Sequence, residues 1–172
     1  EEIEGLQLPL SYNKEKTAGF LCLEMFHRDY AAMLCELGIP VLFVDSPVIV
    51  PGIYFKADCI YMENQNNIFS LIRELNRRGK KRIGFIGECM HCHSFFERYM
   101  AYRNAMHLLG IPCLEKDCII GNRQDIKNPD SHNYLEYLAD CLKKDDMPEA
   151  FLCANDFVAL YTLKILKDIG VS

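Results

Sequence analysis

Short, almost continuous apolar runs alternate along this chain with longer stretches in which apolar residues recur every three or four positions. The runs 18–23, 40–44, 58–62, 81–87, 118–120 and 150–154 read as strands. Val41-Leu42-Phe43-Val44 is apolar at every position, the pattern of a strand covered on both faces. Helical stripes stand between the runs: Tyr30, Met33, Leu34 and Leu37; Ile68, Leu71, Ile72 and Leu75; an amphipathic segment over 96–106; and Leu135, Leu138, Ala139 and Leu142. A last helix runs from Asn155-Asp156, which offers an N-cap, to Ile169. Gly38, Gly79 and Gly170 stop three of these helices, and Gly110-Ile111-Pro112 stops the fourth. Residues 1–16 have no clear period and read as an irregular lead-in. Residues 46–56 and 121–131 read as loops. Strands alternating with helices through short loops predict an α/β fold, a parallel sheet with helices on both faces.

Composition narrows this picture. A chain of 172 residues, half of them hydrophobic, holds one domain or two small lobes. The net charge of −5, with no basic block, argues against this segment gripping a phosphate backbone by itself. No apolar run approaches the roughly 18 residues of a membrane-spanning helix, and no signal peptide is visible. Nine cysteines, an odd number scattered through strands and helices, do not form a disulfide framework. Reduced, mostly buried thiols in a cytoplasmic protein are the expectation.

Candidate chemistry gathers at strand ends, because ligands of parallel α/β sheets bind beyond the carboxyl ends of the strands. Arg98 is expected in the first turn of the helix after the strand 81–87. There a guanidinium can hold two hydroxyls or a carboxylate in a bidentate fork; the plain alternative is a surface arginine paired with Glu97 or another neighbour. Asn155 and Asp156, at another strand end, can serve sugar hydroxyls as donor and acceptor or simply cap the helix. Both roles fit together if Asp156 caps while Asn155 faces the ligand. Asp45 ends a buried strand, and its plain alternative is a turn aspartate. Cys89-Met90-His91-Cys92-His93 matches the C-x-x-C-H spacing of haem attachment. With no export signal in view, neither haem nor an essential metal is expected there, and no cofactor is assigned. Zinc binding and a thiol pair that oxidises are weaker readings of the same loop. No Ser/His/Asp arrangement, phosphate loop or H-E-x-x-H helix occurs, so no catalysis is argued.

Arg82-Ile83-Gly84-Phe85-Ile86-Gly87, a variable loop, and then Glu97-Arg98-x-x-Ala101-Tyr102-x-x-Ala105 resemble the effector-binding domain of LacI/GalR-type bacterial transcription regulators. Gly38-Ile39-Pro40-Val41-Leu42-Phe43-Val44-Asp45 and Ala154-Asn155-Asp156-Phe157-Val158-Ala159 continue the resemblance in the family's order, from about Thr17 onward. It implies a periplasmic-binding-protein-like fold of two parallel-sheet lobes, incomplete in this chain. Residues 1–62 would be part of the N-terminal lobe and 63–172 part of the C-terminal lobe. The acidic–Asn pair expected near the crossover reads Met62-Glu63 or Glu63-Asn64. Two βα units before residue 18, strands after Gly170 and a DNA-binding helix-turn-helix are expected of the family and are not in this sequence. Ser94 matches a ligand-contacting position in parts of the family. Arg123 stands near the place of an aromatic that stacks on the ligand, and a cation there points to an acidic or phosphorylated effector.

The resulting expectation is a ligand-sensing domain, not an enzyme. It would take a small effector, a sugar or sugar-like metabolite, in the interlobe cleft through Arg98, Asn155, Asp156, Asp45 and Ser94. It would work as a homodimer and reach operator DNA only through the missing helix-turn-helix, so that this polypeptide alone does not bind DNA specifically. No membrane partner is expected. A solute-binding protein of a sugar importer is the alternative, and a redox protein built on the Cys89 loop is a third.

Overall fold

The structure is a computed structural model that describes residues 6–49, 54–121, 131–143 and 146–171, with the backbone alone at 131–133. The chain divides into two units, one of Glu1–Met62 with Cys92–Ser94, the other of Glu63–His91 with Phe95–Ser172.

In the first unit β1 (Phe20–Leu23), β2 (Val41–Val44) and β3 (Asp58–Ile60) form a parallel sheet in the order β1-β2-β3. Phe20 lies opposite Val41, and Leu42 opposite Asp58. Helix α1 (Arg28–Glu36) connects the first two strands. Its start is capped by His27, whose ring Nδ1 accepts the Tyr30 amide at 3.3 Å. It ends before Gly38, which takes φ +75, a left-handed turn that glycine adopts without steric cost. Tyr30, Ala31 and Leu34 of α1 pack on Cys22, Val41 and Phe43, and Phe43 is fully buried. Burying each large apolar side chain stabilises the unit by about 1.5–3 kcal/mol. The strands carry a second apolar face, and on it Leu21, Leu23 and Ile60 are 63%, 64% and 54% exposed. The sequence predicts strands covered on both sides; here α1 covers one.

The second unit contains α2 (Gln65–Arg77), β4 (Ile83–Ile86), α3 (His93–Leu108), β5 (Cys118–Ile119), α4 (Ser131–Leu142), β6 (Ala150–Cys153) and α5 (Asp156–Asp168); the first two residues of α3 group with the first unit. The parallel sheet runs β5-β4-β6, with β4 central and buried along its whole length. On α2 the buried residues are Ile68 and Ile72, while Leu71 is half exposed; the buried stripe is narrower than the periodicity predicts. From α3, Tyr99, Tyr102, Ala105 and Met106 are buried. The Tyr102 hydroxyl donates to the Ile83 carbonyl at 2.7 Å, so a wholly buried phenol keeps its polar atom satisfied. Gly84 is required by space: a Cβ there would collide with the Asp117 carbonyl oxygen and lie 2.8 Å from the Phe151 ring. Arg82 grips the buried Asp117 through Nε at 2.7 Å and Nη2 at 2.5 Å and also reaches Asp146. Glu149 accepts the amides of Lys81 and Arg82 at 2.8 and 3.0 Å. Among the described residues no helix is long and apolar enough to cross a membrane.

Candidate functional site

Each unit gathers polar side chains at the carboxyl ends of its strands. In the first, β2 ends at Asp45, which takes φ +59, and β1 ends at Glu24, which takes φ +52. Non-glycine residues in this region are uncommon, and aspartate tolerates it better than most. The turn aims both Asp45 oxygens. Oδ1 accepts the amides of Ser46 at 2.8 Å and Ser94 at 3.1 Å, and Oδ2 accepts the Ser94 hydroxyl at 2.5 Å. The Ser46 carbonyl accepts the His93 amide at 2.9 Å. Two first-turn amides of α3, which no helical carbonyl can reach, are therefore held by the end of β2.

The buried Ser46 hydroxyl bonds the Pro47 carbonyl at 2.9 Å and the Tyr61 hydroxyl at 2.8 Å. The Tyr61 ring lies on His93, with centroids 4.2 Å apart and planes tilted by 33°. Burial, reinforced by a hydrogen bond with Cys59, pushes the Tyr61 hydroxyl up to about 12. Sequence reasoning finds Asp45 and Ser94 and singles out His93 only as part of the C-x-x-C-H loop, but passes over Ser46 and Tyr61. Tyr61 follows directly on β3, and that position was the available signal.

In the second unit, Arg98 donates from Nε to Asn64 Oδ1 at 2.9 Å and from Nη1 to the Ala154 carbonyl at 2.6 Å. Asn64, 5% exposed, donates in turn to Glu97 Oε2 at 2.7 Å. The expected first-turn position of Arg98 is corrected: α3 begins at His93, not near residue 96, so Arg98 lies in the second turn. The surface pairing with Glu97 gives way to a relay in which Asn64 stands between the two. Nη2 makes no hydrogen bond among the described residues, which leaves donors for a further acceptor.

Asn155 and Asp156 exchange their expected parts. Asn155, in extended conformation, is the N-cap of α5, and its Oδ1 accepts the Val158 amide at 2.9 Å. Asp156 is the first helical residue and is exposed, where its charge favours the helix N-terminus. The Asn155 side-chain oxygen is thus committed to the cap. The sequence reading of Glu63-Asn64 as an unassigned pair was the signal for Asn64. Arg123 lies outside the described residues.

The Cys89–Cys92 loop begins beyond β4. The Cys89 thiol, 3.9 Å from the Ile120 carbonyl, is pushed up by burial, and the buried Cys92 thiol lies 3.3 Å from the Ser94 hydroxyl. Among the described residues no group of three or more His, Cys, Asp and Glu is placed to hold a metal ion. A groove of about 720 Å³ lies beside β6 and α5, lined by Phe151, Cys153, Ala159, Thr162, Leu163 and Leu166 among others, and contains none of the predicted site residues.

A family model described as a periplasmic binding protein-like domain matches residues 72–172. No curated protein matches the sequence. Among solved structures, a complex of the transcriptional regulator CelR with cellobiose is similar at 20% identity and TM-score 0.72, over 92% of this chain and 46% of that one. The transcription regulator CcpA of Lactococcus lactis is similar at 19% identity and TM-score 0.68, over 92% and 54%. The lac repressor dimer bound to operator and the anti-inducer ONPF is similar at 15% identity and TM-score 0.65, over 91% and 51%. The chain spans about half the length of the solved structures it matches.

Proposed function

Because the chain belongs to the family of periplasmic binding protein-like domains, we propose that it is the ligand-sensing domain of a LacI/GalR-like bacterial transcription regulator. Its effector is a small neutral polyol, a sugar or sugar-like metabolite. The observation that carries this reading is the Arg98 guanidinium, fixed at the carboxyl end of β6, whose Nη2 makes no hydrogen bond among the described residues. A guanidinium pinned at two corners loses little freedom when it bonds a ligand hydroxyl. Among the proposed ligand residues of the first unit, Asp45 and Ser94 offer acceptor oxygens, since the Ser94 hydroxyl proton is given to Asp45; in the second unit Asp156 offers an exposed carboxylate. Asn155 contributes through its amide nitrogen, since its oxygen caps α5. Asp45 already places a negative charge on the first-turn amides of α3, which favours a neutral effector over a phosphorylated one.

In this reading the protein is non-catalytic and cytoplasmic. It works as a homodimer and meets operator DNA through a helix-turn-helix outside this sequence. The effector acts by binding two arrangements of the protein with different affinity. The solute-binding protein of a sugar importer shares the fold, which therefore does not decide between them.

The test is calorimetric titration with a panel of neutral mono- and disaccharides, repeated on Arg98→Gln. At least one sugar is expected to bind the parent and to weaken by about tenfold or more in the variant, since about 1.4 kcal/mol is one decade. No binding across the panel, or binding indifferent to Arg98, overturns the proposal.

A further inference from the structure

Six of the chain's 19 lysines and arginines stand in the ten positions 73–82, with Glu74 as the one acid among them. This basic block, in a chain of net charge −5, corrects the reading that none stands out. The remaining sequence is correspondingly more acidic. The block occupies the last turns of α2 and the turn into β4, at the amino end of the second unit's sheet.

Its members are not equivalent. Arg82 is spent on the buried Asp117 and on Asp146. The others face solvent. Arg77 and Arg78, with side chains 74% and 67% exposed, share one carboxylate: Glu74 takes Arg77 Nε at 2.7 Å and Nη2 at 2.9 Å and Arg78 Nε at 2.8 Å, which leaves the outer Nη donors of both. Two guanidinium groups are thereby held side by side with donors to spare, and the single negative charge between them does not cancel both. The hydrogen bonds from Arg77 and Arg78 pull the Glu74 carboxyl down to about 2, so the clamp stays charged across the physiological range. Lys80 and Lys81 follow in the next turn. Lys81 is steered by a bond to Asn76 at 2.8 Å, while Glu149 is engaged by the backbone amides of Lys81 and Arg82. Cations do favour a helix C-terminus, but that accounts for the last turn of α2 and not for Lys80, Lys81 or the doubled guanidinium.

The geometry points to a docking surface for a short acidic segment of a partner protein, with Arg77 and Arg78 forking onto its carboxylates and Lys80 and Lys81 adding point charges. Planar carboxylates match the guanidinium fork. A short acidic segment meets only the basic block, whereas a long polyanion such as nucleic acid also meets the field of an acidic chain.

The experiment uses a fluorescent octaglutamate peptide and measures anisotropy with the whole protein at low salt and at about 0.15 M salt, where the screening length is about 8 Å. Three double variants are compared: Arg77→Gln/Arg78→Gln, Lys80→Gln/Lys81→Gln, and Lys164→Gln/Lys167→Gln on α5, which removes the same charge elsewhere. The expected result is binding that weakens with salt, a loss of about tenfold in the arginine variant, a smaller loss in the Lys80/Lys81 variant, and a change of less than about twofold in the α5 control. Melting curves confirm folding; where the arginine variant fails to fold, the Lys80/Lys81 variant decides. The proposal is overturned by no peptide binding, by equal losses in block and control variants, or by duplex DNA of matched charge competing more strongly than the peptide.

Discussion

Asp45 Oδ2 accepts the Ser94 hydroxyl at 2.5 Å across 49 residues of sequence, and its Oδ1 accepts the Ser94 amide at 3.1 Å. One side chain in a left-handed turn thus satisfies donors that a helix start cannot satisfy for itself. Asp45→Ala removes these bonds together with the one to Ser46. Hydrogen bonds to a charged group contribute about 1.5–3 kcal/mol and neighbouring ones do not add fully, so a loss of about 2–3 kcal/mol is expected by urea denaturation. Asp45→Asn accepts the same φ and keeps one acceptor oxygen; its loss should be about half as large. An unchanged midpoint in the alanine variant would refute the capping role.

Arg98 carries two duties, and substitution will expose both. Arg98→Ala leaves the buried Asn64 side chain and the Ala154 carbonyl each short of one partner, which is expected to cost about 1–3 kcal/mol of stability. Stability should fall even with no ligand present, contrary to a side chain serving a ligand alone. Arg98→Lys recovers less than half, because a single ammonium cannot reach both acceptors as the fork does. Thermal melts of the two variants in sugar-free buffer check this. Melts superimposable on the parent would sink it.

For the last helix, the expected sensitive position is Asn155 and not its acidic neighbour. Asn155→Ala removes the bond to the Val158 amide and should destabilise by about 1 kcal/mol, while Asn155→Asp and Asn155→Ser retain the cap and change stability little. Asp156→Ala loses only a charge–dipole contribution of a few tenths of a kcal/mol. The order reverses if Asp156 is the true cap.

Alkali should weaken the protein in a window that Tyr61 helps to define. Its hydroxyl is raised to about 12, against about 10 for tyrosine in an unfolded chain. The folded state therefore holds this proton more tightly. The stabilisation is complete below about pH 10, declines as the unfolded state ionises, and is fully lost above about pH 12. Tyr134 is raised to a similar value and Tyr102 is raised as well, so the measurement is a difference. Between pH 10 and 12 the stability of Tyr61→Phe should fall less steeply than that of the parent, and parallel curves would remove Tyr61 from the account.

The strands, the helices and their parallel order were legible because a buried strand and a helical stripe each impose a local pattern on sequence. The start of α3 was not, since residues 89–94 are polar and the groups that hold its first amides come from Asp45 and Ser46, far away in the chain. The choice between Asn155 and Asp156 was equally hidden. Both residue types cap, and only the extended backbone of Asn155 decides. Arg98 was found as a strand-end guanidinium, but Asn64, its anchor, was legible only as one reading of an acidic–Asn pair with no role attached. Burial turns Asn64 into a relay, and burial of a single amide leaves no periodic trace.

The exposed side of the first sheet also governs how the protein behaves in the laboratory. Leu21 and Leu23 on β1, Val44 on β2 and Ile60 on β3, the last three in register across the sheet, present exposed apolar side chains in the native state. A reporter dye such as anilinonaphthalene sulfonate should therefore fluoresce on the intact protein, and its brightness cannot serve here as a sign of a loosened interior, for which loss of near-ultraviolet circular dichroism is the sounder criterion.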